Sequence, residues 1–311
     1  MKTILITAIG GDIAQGVATA IRSEQMDYRL VGSDIHTQHG GSLYVEECFH
    51  VPPANDASYE DAILKLVLEQ NIDIVIPVSE AELAVWITSD KLSQCSAQIV
   101  TAGKDVIEVG LDKLKTNEAL QGMGVTVPWT VAVKESSPCG LPCIMKNRLG
   151  SGSKDIFTLY SQEDVKFYRE KSSNAIFQEL LLPADQEVTV AVYRTQQGKV
   201  GVFQMLRKLS GGLTSWVKII KSEAVELMCK RIAEALDLQG SMNIQLRITQ
   251  DGPRVFEINP RFSSTTVIRH QFGFKDVCWS LDELEGKMVE FPSDDMIGKH
   301  AVRTFDAVIL D

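Results

Sequence analysis

Short apolar segments alternate with helix-forming stretches over residues 3–102. Strands are predicted at Thr3–Ala8, Tyr28–Gly32, Ile72–Pro77 and Gln98–Ala102. Helices are predicted between them at Ile13–Arg22, Tyr59–Leu68 and Glu80–Ser89. Such alternation is typical of a parallel sheet covered by helices. Residues 1–110 are therefore predicted to form a small Rossmann-like domain.

The pattern changes after residue 110, where strands dominate. A helix is predicted at Asp112–Met123, ended by Gly124, and an amphipathic helix at 222–236. Strands are predicted within 142–159 and at Ala175–Glu179, Glu187–Tyr193 and Val200–Arg207. The fold is thus predicted to combine α/β and α+β parts, with units at 1–110, 111–185 and 186–311.

A β-hairpin is predicted around the turn Asp251-Gly252-Pro253, between strands Asn243–Ile248 and Arg254–Asn259. If the hairpin is centred on Asp251, Gln245 lies opposite Glu257 and Asn243 lies opposite Asn259. This register would gather four oxygen-bearing side chains on one patch. Carboxylate and amide oxygens are the ligands that Mg²⁺ prefers.

Strand alternation places Phe256 and Ile258 on one face and Val255, Glu257 and Asn259 on the other. The next residues are Pro260 and Arg261, whose guanidinium suits bidentate contact with phosphate or carboxylate. An ordinary solvated polar face is the alternative for such a strand taken alone.

A Gly/Ser-rich loop at 150–153 follows a predicted strand that ends at Lys146. Small residues allow backbone N–H groups to approach phosphate oxygens, and the lysine supplies positive charge. The loop lacks the GK[ST] sequence of a P-loop, so a simple hairpin turn is the alternative.

A second glycine-rich turn, with Gly10, Gly11 and Gly16, follows the first strand, and Asp34 ends the second strand. A dinucleotide site has a similar arrangement, but the spacing here is GGxxxxG and not GxGxxG. The glycine-rich turn therefore supports a nicotinamide-dinucleotide-dependent oxidoreductase only weakly.

Composition restricts the partners of the 311-residue chain. The formal net charge of −10 argues against a nucleic-acid-binding surface, which needs clustered Lys and Arg. No apolar run is long enough for a membrane span, no signal peptide is recognisable, and the six cysteines form no CxxC pair. A cytoplasmic protein without nucleic-acid or membrane partners is expected.

The order of these motifs resembles the ATP-grasp superfamily, especially the branch that contains the large chain of carbamoyl-phosphate synthase. The matching segments run through nearly the whole chain, at 72–83, 112–113, 122–130, 144–153, 177–181, 186–192 and 240–265. The resemblance implies a Rossmann-like pre-ATP-grasp domain followed by a two-subdomain ATP-grasp fold. It covers one ATP-grasp unit, with a shorter phosphate loop than in the synthases.

The resemblance implies a nucleotide role for many residues. Lys113 and Lys146 would contact the ATP phosphates, and Glu187 would hold the ribose hydroxyls. The flexible loop over the phosphates would be Gly150, Ser151, Gly152 and Ser153. The hinge at the adenine edge would be Gln178, Glu179, Leu180 and Leu181.

The resemblance also implies a metal and an acceptor site. Gln245, Glu257 and Asn259 would ligate Mg²⁺, or Mn²⁺ as the alternative, with Asn243 beside them. Arg261 would contact the γ-phosphate or the substrate carboxylate. Arg207 and Lys208 would lie near a loop over the acceptor, and a homodimer formed through the N-terminal sheet is implied by family analogy.

The implied activity is ATP-dependent ligation of a small carboxylate to an amine or thiol through an acyl phosphate. In such a reaction, positioning and electrostatics provide most of the catalysis. The oxidoreductase and a non-catalytic ATP sensor are the alternatives. The acceptor is expected between the N-terminal domain and the grasp, at 36–43 or 79–82.

Overall fold

The computed structural model describes residues 1–150, 155–172 and 174–304, without the side chain of residue 294. The first sheet contains five parallel strands: β1 (Lys2–Thr7), β2 (Tyr28–Asp34), β3 (Glu47–His50), β4 (Ile74–Ile76) and β5 (Gln98–Ile99). Their order is β3-β2-β1-β4-β5. This is the 3-2-1-4-5 strand order of a doubly wound sheet, so the Rossmann-like prediction is confirmed.

Helices cover both faces of the first sheet: α1 (Asp12–Ser23), α2 (Tyr59–Glu69) and α3 (Glu80–Thr88). On one face, Val17 and Ile21 of α1 pack against Ile4 and Ile6 of β1. On the other face, α2 and Trp86 of α3 pack against the same sheet. The buried faces explain why these strands are nearly continuous apolar runs.

A four-stranded antiparallel sheet follows: β6 (Thr130–Ala132), β7 (Cys143–Asn147), β8 (Phe157–Leu159) and β9 (Ala175–Glu179). Its order is β6-β9-β7-β8. The helices before and within this unit are α4 (Lys104–Gly110), α5 (Lys113–Gly122) and α6 (Gln162–Lys171). Asp112 caps α5 by accepting from the backbone N–H groups of Leu114 and Lys115.

The third sheet has six antiparallel strands: β10 (Glu187–Arg194), β11 (Val200–Ser210), β12 (Leu213–Ile220), β13 (Gly240–Thr249), β14 (Gly252–Asn259) and β15 (His300–Val302). Its order is β14-β13-β10-β11-β12-β15. The accompanying helices are α7 (Glu223–Ala235), α8 (Thr266–Gln271) and α9 (Asp276–Leu284). Three single-turn 3₁₀ helices lie at Gly40–Leu43, Leu92–Gln94 and Asp294–Met296.

Two cores fill the faces of the third sheet. Val188, Val190 and Val192 of β10 pack toward α7, whereas Ala191 and Tyr193 face the core that includes α9. The C-terminal helices also reach the N-terminal domain, because Val277 and Leu281 of α9 belong to the core of the first sheet. The predicted boundaries at 110 and 185 remain a proposal, since the third unit in sequence packs partly on the first.

The structure contains elements that the sequence patterns did not indicate. Among them are β3, α4, α6, α8, α9, β12 and β15. Helix α6 is polar on most of its surface, but Ser161 and Asp164 form a capping box, which is a local signal for its start. Within the described ranges, no helix is both long enough and apolar enough to cross a membrane.

Candidate active site

A cavity of about 620 Å³ lies between the two antiparallel sheets and reaches the start of α1. It is lined by most of the predicted site residues, namely Lys113, Lys146, Gly150, Gln178, Glu179, Leu181, Glu187, Arg207, Gln245, Glu257, Asn259 and Arg261. The predicted loop residues Ser151, Gly152 and Ser153 lie outside the described residues. Side chains that are far apart in the sequence are therefore brought to one place by the packing of the sheets.

The hairpin of β13 and β14 has the predicted register. Gln245 lies opposite Glu257, and Asn243 lies opposite Asn259. The turn itself is Gln250-Asp251, not 251–253, because β13 ends at Thr249 and β14 begins at Gly252. Counted outward from the Thr249–Gly252 pair, Gln245 would lie opposite Phe256, so the predicted pairs arise only from a one-residue shift of register between Gln245 and Leu246. The prediction that these four side chains share one patch of the sheet is confirmed.

The predicted faces of β14 are wrong at two residues. The register shifts between Gln245 and Leu246, so that Leu246 pairs with Val255 and Phe256 is the extra residue of a β-bulge. Val255 is fully buried in the core shared with α7, whereas Phe256 lines the cavity. The bulge turns Phe256 to the same side as Glu257, and strict alternation could not predict it.

The two asparagines of the hairpin are buried and incompletely hydrogen-bonded. Asn243 Oδ1 accepts a hydrogen bond from Thr189 Oγ1 at 2.9 Å, and Asn259 Oδ1 accepts one from Arg261 at 3.0 Å. Neither Nδ2 group has a partner among the described residues. An unpaired buried amide costs stability. Asn259 lines the cavity and its Nδ2 is a candidate for ligand contact, whereas the structure does not bring Asn243 to the lining.

Two lysines approach Glu257 from the smaller sheet and its helix. Lys113 Nζ lies 3.8 Å from Glu257 Oε1 and donates a hydrogen bond to the carbonyl of Gly150. Lys146 Nζ lies 5.5 Å from the centre of the Phe256 ring, and its residue is only 6% exposed. Burial lowers the pKa of Lys146 to about 8, against the opposing charge of Glu257.

Glu187 is held between two arginines. Arg207 donates to Glu187 Oε1 at 2.7 and 2.9 Å, and Arg247 donates to Oε2 at 2.5 Å. Arg207 also donates to Gln245 Oε1 at 2.9 Å. The predicted ribose-binding residue therefore belongs to an ionic network that crosses β10, β11 and β13.

The predicted hinge at 178–181 joins the small sheet to the large one. Glu179 accepts from Arg254 of β14 at 2.6 and 2.8 Å, and Arg247 donates to the carbonyl of Leu181 at 2.7 Å. Gln178 is buried and donates to Thr130 Oγ1. Leu180 is half-buried and does not belong to the cavity lining.

Arg261 links the hairpin to the N-terminal domain. Its guanidinium donates to Glu80 Oε1 of α3 at 2.8 Å as well as to Asn259. The cavity continues from Arg261 to the first residues of α1, Asp12 and Ile13, and to Ser263–Thr265. Sequence reasoning missed this end of the cavity, although Ser263–Thr265 immediately follow the Arg261 motif.

Other predicted acceptor residues are placed away from the cavity. Lys208 is exposed beside the Trp216 ring, 5.3 Å from its centre, and the structure does not bring it to the lining. Successive residues of a strand point to opposite faces, so Lys208 points away from the side on which Arg207 lies. Neither 36–43 nor 79–82 lines the cavity, and Glu80 approaches it only through Arg261.

The glycine-rich turn after β1 is filled by its own neighbours. Asp34 accepts hydrogen bonds from the backbone N–H groups of Gly10 and His36, at 2.8 and 2.9 Å. A Cβ atom added at Gly10 would lie 2.9 Å from the Asp34 carboxylate and 3.1 Å from the His39 ring. The close approach that requires glycine here is to side chains of the protein.

The acidic groups at the cavity do not form a preformed metal cluster. In residues 1–150, 155–172 and 174–304, no three His, Cys, Asp or Glu side chains are grouped so that they could hold a metal ion. Glu257 has the amide side chains of Gln245 and Asn259 as its neighbours in the predicted ligand set. That set stays a prediction.

Known proteins share this architecture. Carbamoyl-phosphate synthase of Methanobrevibacter smithii is 21% identical over 263 residues, which cover 78% of this chain and 70% of that protein. N5-carboxyaminoimidazole synthetase of Staphylococcus aureus, solved with ADP, has a TM-score of 0.76 at 19% identity, covering 93% of this chain and 79% of the other. The biotin carboxylase domain dimer of the Hydrogenobacter thermophilus 2-oxoglutarate carboxylase, solved with MgADP, ADP and bicarbonate, has a TM-score of 0.75 at 14% identity, covering 96% and 73%.

A family model for the ATP-grasp domain matches residues 111–265. The matched segment begins just before α5, which carries Lys113, and ends at Thr265, so it contains Lys146, the hinge and the whole hairpin of β13 and β14. The chain therefore carries an ATP-grasp domain, and through that domain it belongs to the ATP-grasp superfamily.

Proposed function

We propose that the protein is an ATP-dependent ligase that converts a small carboxylate to an acyl phosphate and joins it to an amine or thiol. The observation that carries this proposal is the cavity around Glu257. Lys113, Lys146, Arg207 and Arg261 all line it, from elements of both antiparallel sheets and their connections. The same lining carries the carboxylates of Asp12, Asp155, Glu179, Glu187 and Glu257, so the cavity combines cations that suit a polyphosphate with oxygen ligands that suit its metal ion.

The nucleotide is placed by apolar and cationic contacts together. Phe256, Leu181 and Ile144 line the part of the cavity beside the hinge, where an adenine ring would be covered on both faces. Lys146 is buried and its pKa is lowered by that burial, so an incoming phosphate would add negative charge that stabilises its ammonium form.

The ribose is assigned to Glu187. Both carboxylate oxygens of Glu187 already accept hydrogen bonds from Arg207 and Arg247. A ribose hydroxyl would share or replace one of these bonds. Replacement at Oε1 would release Arg207, which lies on β11 near the turn at 211–212, toward the transferred phosphate.

The donor set beside Glu257 fits Mg²⁺ that arrives with a nucleotide. One carboxylate and two amide oxygens are hard ligands, but they are too few for a cage made of protein alone. The unpaired Nδ2 group of Asn259, which lines the cavity, offers a donor to an oxygen atom that the protein does not supply. When bound there, Mg²⁺ would neutralise charge that develops on the phosphates during transfer.

The reaction needs two displacement steps. A substrate carboxylate oxygen forms a bond to the γ-phosphorus of ATP while the bond to the β–γ bridging oxygen breaks, and ADP leaves. The amine then attacks the acyl carbon, inorganic phosphate leaves with the C–O bonding electrons, and the nitrogen loses a proton. Lys113 and Arg261 are placed to stabilise the negative charge of both steps.

The test is a screen for ADP release with amino acids, dipeptides and other small carboxylates, each with and without amine partners. Hydroxylamine serves as a second nucleophile, because it converts an acyl phosphate to a hydroxamate that is measured directly. We expect ADP and hydroxamate to appear together with at least one carboxylate, and both to disappear in Glu257→Ala. Turnover that survives this substitution would refute the assignment of Glu257.

The same screen separates the alternatives. An ATP sensor would bind ATP and release no ADP with any carboxylate. A nicotinamide-dependent oxidoreductase would bind NADH and keep its activity in Glu257→Ala. The closed turn at Gly10, which Asp34 fills, supports neither a pyrophosphate nor a ribose at that position.

A further inference from the structure

Ser263, Ser264 and Thr265, which we call the acceptor segment, line the cavity beside Arg261. Ser263 and Thr265 are almost completely buried, whereas Ser264 is half-exposed. The segment thus presents Ser264 to the cavity and directs the side chains on either side of it into the protein.

A buried arginine lies beneath this segment. Arg269 of α8 is 0% exposed, and its guanidinium donates to Ser263 Oγ at 2.7 Å and to Thr265 Oγ1 at 3.2 Å. The same guanidinium donates to both oxygens of Asp276, at 2.9 and 2.6 Å. One side chain therefore fixes both buried hydroxyls of the acceptor segment to the start of α9.

Asp276 is anchored in turn to the large sheet. Its Oδ2 accepts a hydrogen bond from Ser241 Oγ of β13 at 2.5 Å. β13 also carries Asn243 and Gln245. The chain of contacts from Ser241 through Asp276 and Arg269 thus connects the predicted metal-binding strand to the acceptor segment.

Arg303 holds the segment from the opposite side. Its guanidinium donates to the backbone carbonyls of Ser264 and Thr214, and lies 3.8 Å from Asp12 at the start of α1. The acceptor segment is therefore clamped between two arginines, one contacting side chains and the other the backbone.

A buried ion pair is an expensive way to stabilise a core. Replacing such a pair by apolar side chains of similar size is often neutral or stabilising, so stability alone does not explain Arg269 and Asp276. The planar guanidinium of an arginine, in contrast, holds its hydrogen-bond partners in a fixed geometry. Catalysis that depends on alignment of two substrates gains from this kind of support.

We propose that Arg269 and Asp276 are positioning residues that fix the acceptor segment so that Ser264 and Arg261 align the substrate carboxylate for attack on the γ-phosphate. The proposal rests on the ligase function proposed above. Arg269 touches no substrate itself, and its effect is exerted through Ser263 and Thr265.

The test compares variants that loosen the segment with a matched control. The first pair is Arg269→Met and the double variant Ser263→Ala/Thr265→Val, which leaves the ion pair in place and removes only its hydroxyl partners. The control is Tyr193→Phe, which removes another buried hydrogen bond to α9, from Tyr193 to Glu283 at 2.8 Å, without touching the segment. Arg269→Lys tests rescue, because it keeps the charge but not the fork.

The kinetic probe is a mixture of the proteinogenic L-amino acids with hydroxylamine as nucleophile and hydroxamate as readout. A misplacement of about 1 Å costs on the order of 100-fold, so we expect kcat/KM for the mixture to fall by about that factor in Arg269→Met. The loss should be smaller in Arg269→Lys and absent in Tyr193→Phe. The affinity for the non-hydrolysable analogue AMP-PNP, measured by calorimetry, should be unchanged in all variants.

Hydrogen–deuterium exchange tests the same claim without any acceptor. Backbone amides of 261–267 should exchange faster in Arg269→Met and in the Ser263/Thr265 variant, while those of α7 should not change. If wild-type protein makes no hydroxamate from any carboxylate of the screen but the exchange result holds, the proposed ligase function fails, and what stands is that Arg269 fixes the acceptor segment. The positioning role is overturned if exchange at 261–267 matches Tyr193→Phe, or if AMP-PNP affinity and kcat/KM fall together.

Discussion

Two polar regions of this chain, the turn after β1 and the hairpin of β13 and β14, differ in whether the folded protein satisfies their polar groups. The glycine-rich turn has the appearance of a phosphate cradle, but Asp34 fills it and accepts the Gly10 N–H. The hairpin has the sequence of an ordinary polar strand pair, but it leaves the buried Nδ2 groups of Asn243 and Asn259 unpaired, and Asn259 lines the cavity. Binding capacity is marked by polar groups that the protein leaves unsatisfied, and less by glycine spacing.

The largest effect is expected at the carboxylate of the hairpin. Glu257→Gln keeps the side-chain shape but removes the negative charge that would hold the metal, so ADP release should fall by about 1000-fold, as when a preorganised charge-stabilising group is lost. Glu226→Gln, an acidic residue of α7 paired with Lys230, is the control and should retain full activity. If Glu257→Gln released ADP at the wild-type rate, the hairpin would have no catalytic role. The contrast between the hairpin and the turn after β1 would then be refuted.

The second effect is a pH dependence of nucleotide binding that comes from Lys146. Burial lowers its pKa to about 8, so in the free protein the ammonium loses its proton as pH rises through that value. A polyphosphate binds the charged form, and the affinity for AMP-PNP should therefore fall by about tenfold between pH 7 and 9, with net proton uptake on binding.

Calorimetry in buffers of different ionisation enthalpy measures this uptake. Lys146→Arg is the matched variant, because a guanidinium stays charged over the whole range. Its AMP-PNP affinity should not vary between pH 7 and 9. A wild-type affinity that is equally flat would contradict the proposed role of the Lys146 ammonium.

The third prediction concerns the different roles of Phe256 and Val255 at the β-bulge. Phe256→Ala removes the ring beside Lys146, and the loss of a cation–π contact of about 0.5–1 kcal/mol should weaken AMP-PNP binding severalfold. Val255→Ala should leave binding unchanged and lower the free energy of unfolding by about 1–3 kcal/mol, because Val255 is core.

Denaturant titration and calorimetry on the two variants measure both quantities. The reverse outcome, with Val255→Ala affecting nucleotide and Phe256→Ala only stability, would restore the alternation predicted from the sequence.

The smallest functional effect is expected at the glycine-rich turn. Asp34→Ala leaves the Gly10 and His36 N–H groups without their acceptor and should lower the free energy of unfolding by about 1–3 kcal/mol. AMP-PNP affinity should not change, and the wild-type protein should not bind NADH. Loss of nucleotide affinity in Asp34→Ala would show that both regions serve binding.

Much of the fold could be predicted from local patterns. The parallel sheet follows from apolar runs at fixed intervals, since strands buried on both faces need continuous apolar sequence. Helix α6 and strands β3 and β12 were missed because their exposed faces make their patterns weak. The packing of α8 and α9 on the first sheet joins segments more than 200 residues apart, as in the contact of Cys278 with Ala20, and no local pattern contains it.

The candidate site was predictable only in part. Centring the hairpin on Asp251 gave the pairs Gln245–Glu257 and Asn243–Asn259, but the observed turn at Gln250-Asp251 yields them only together with the one-residue shift at Phe256. The bulge at Phe256, the ionic network around Glu187 and the exclusion of Lys208 were decided only by tertiary structure. Each depends on which distant side chain arrives at a position, and that is settled by packing and charge pairing between sheets, not by any spacing along the chain.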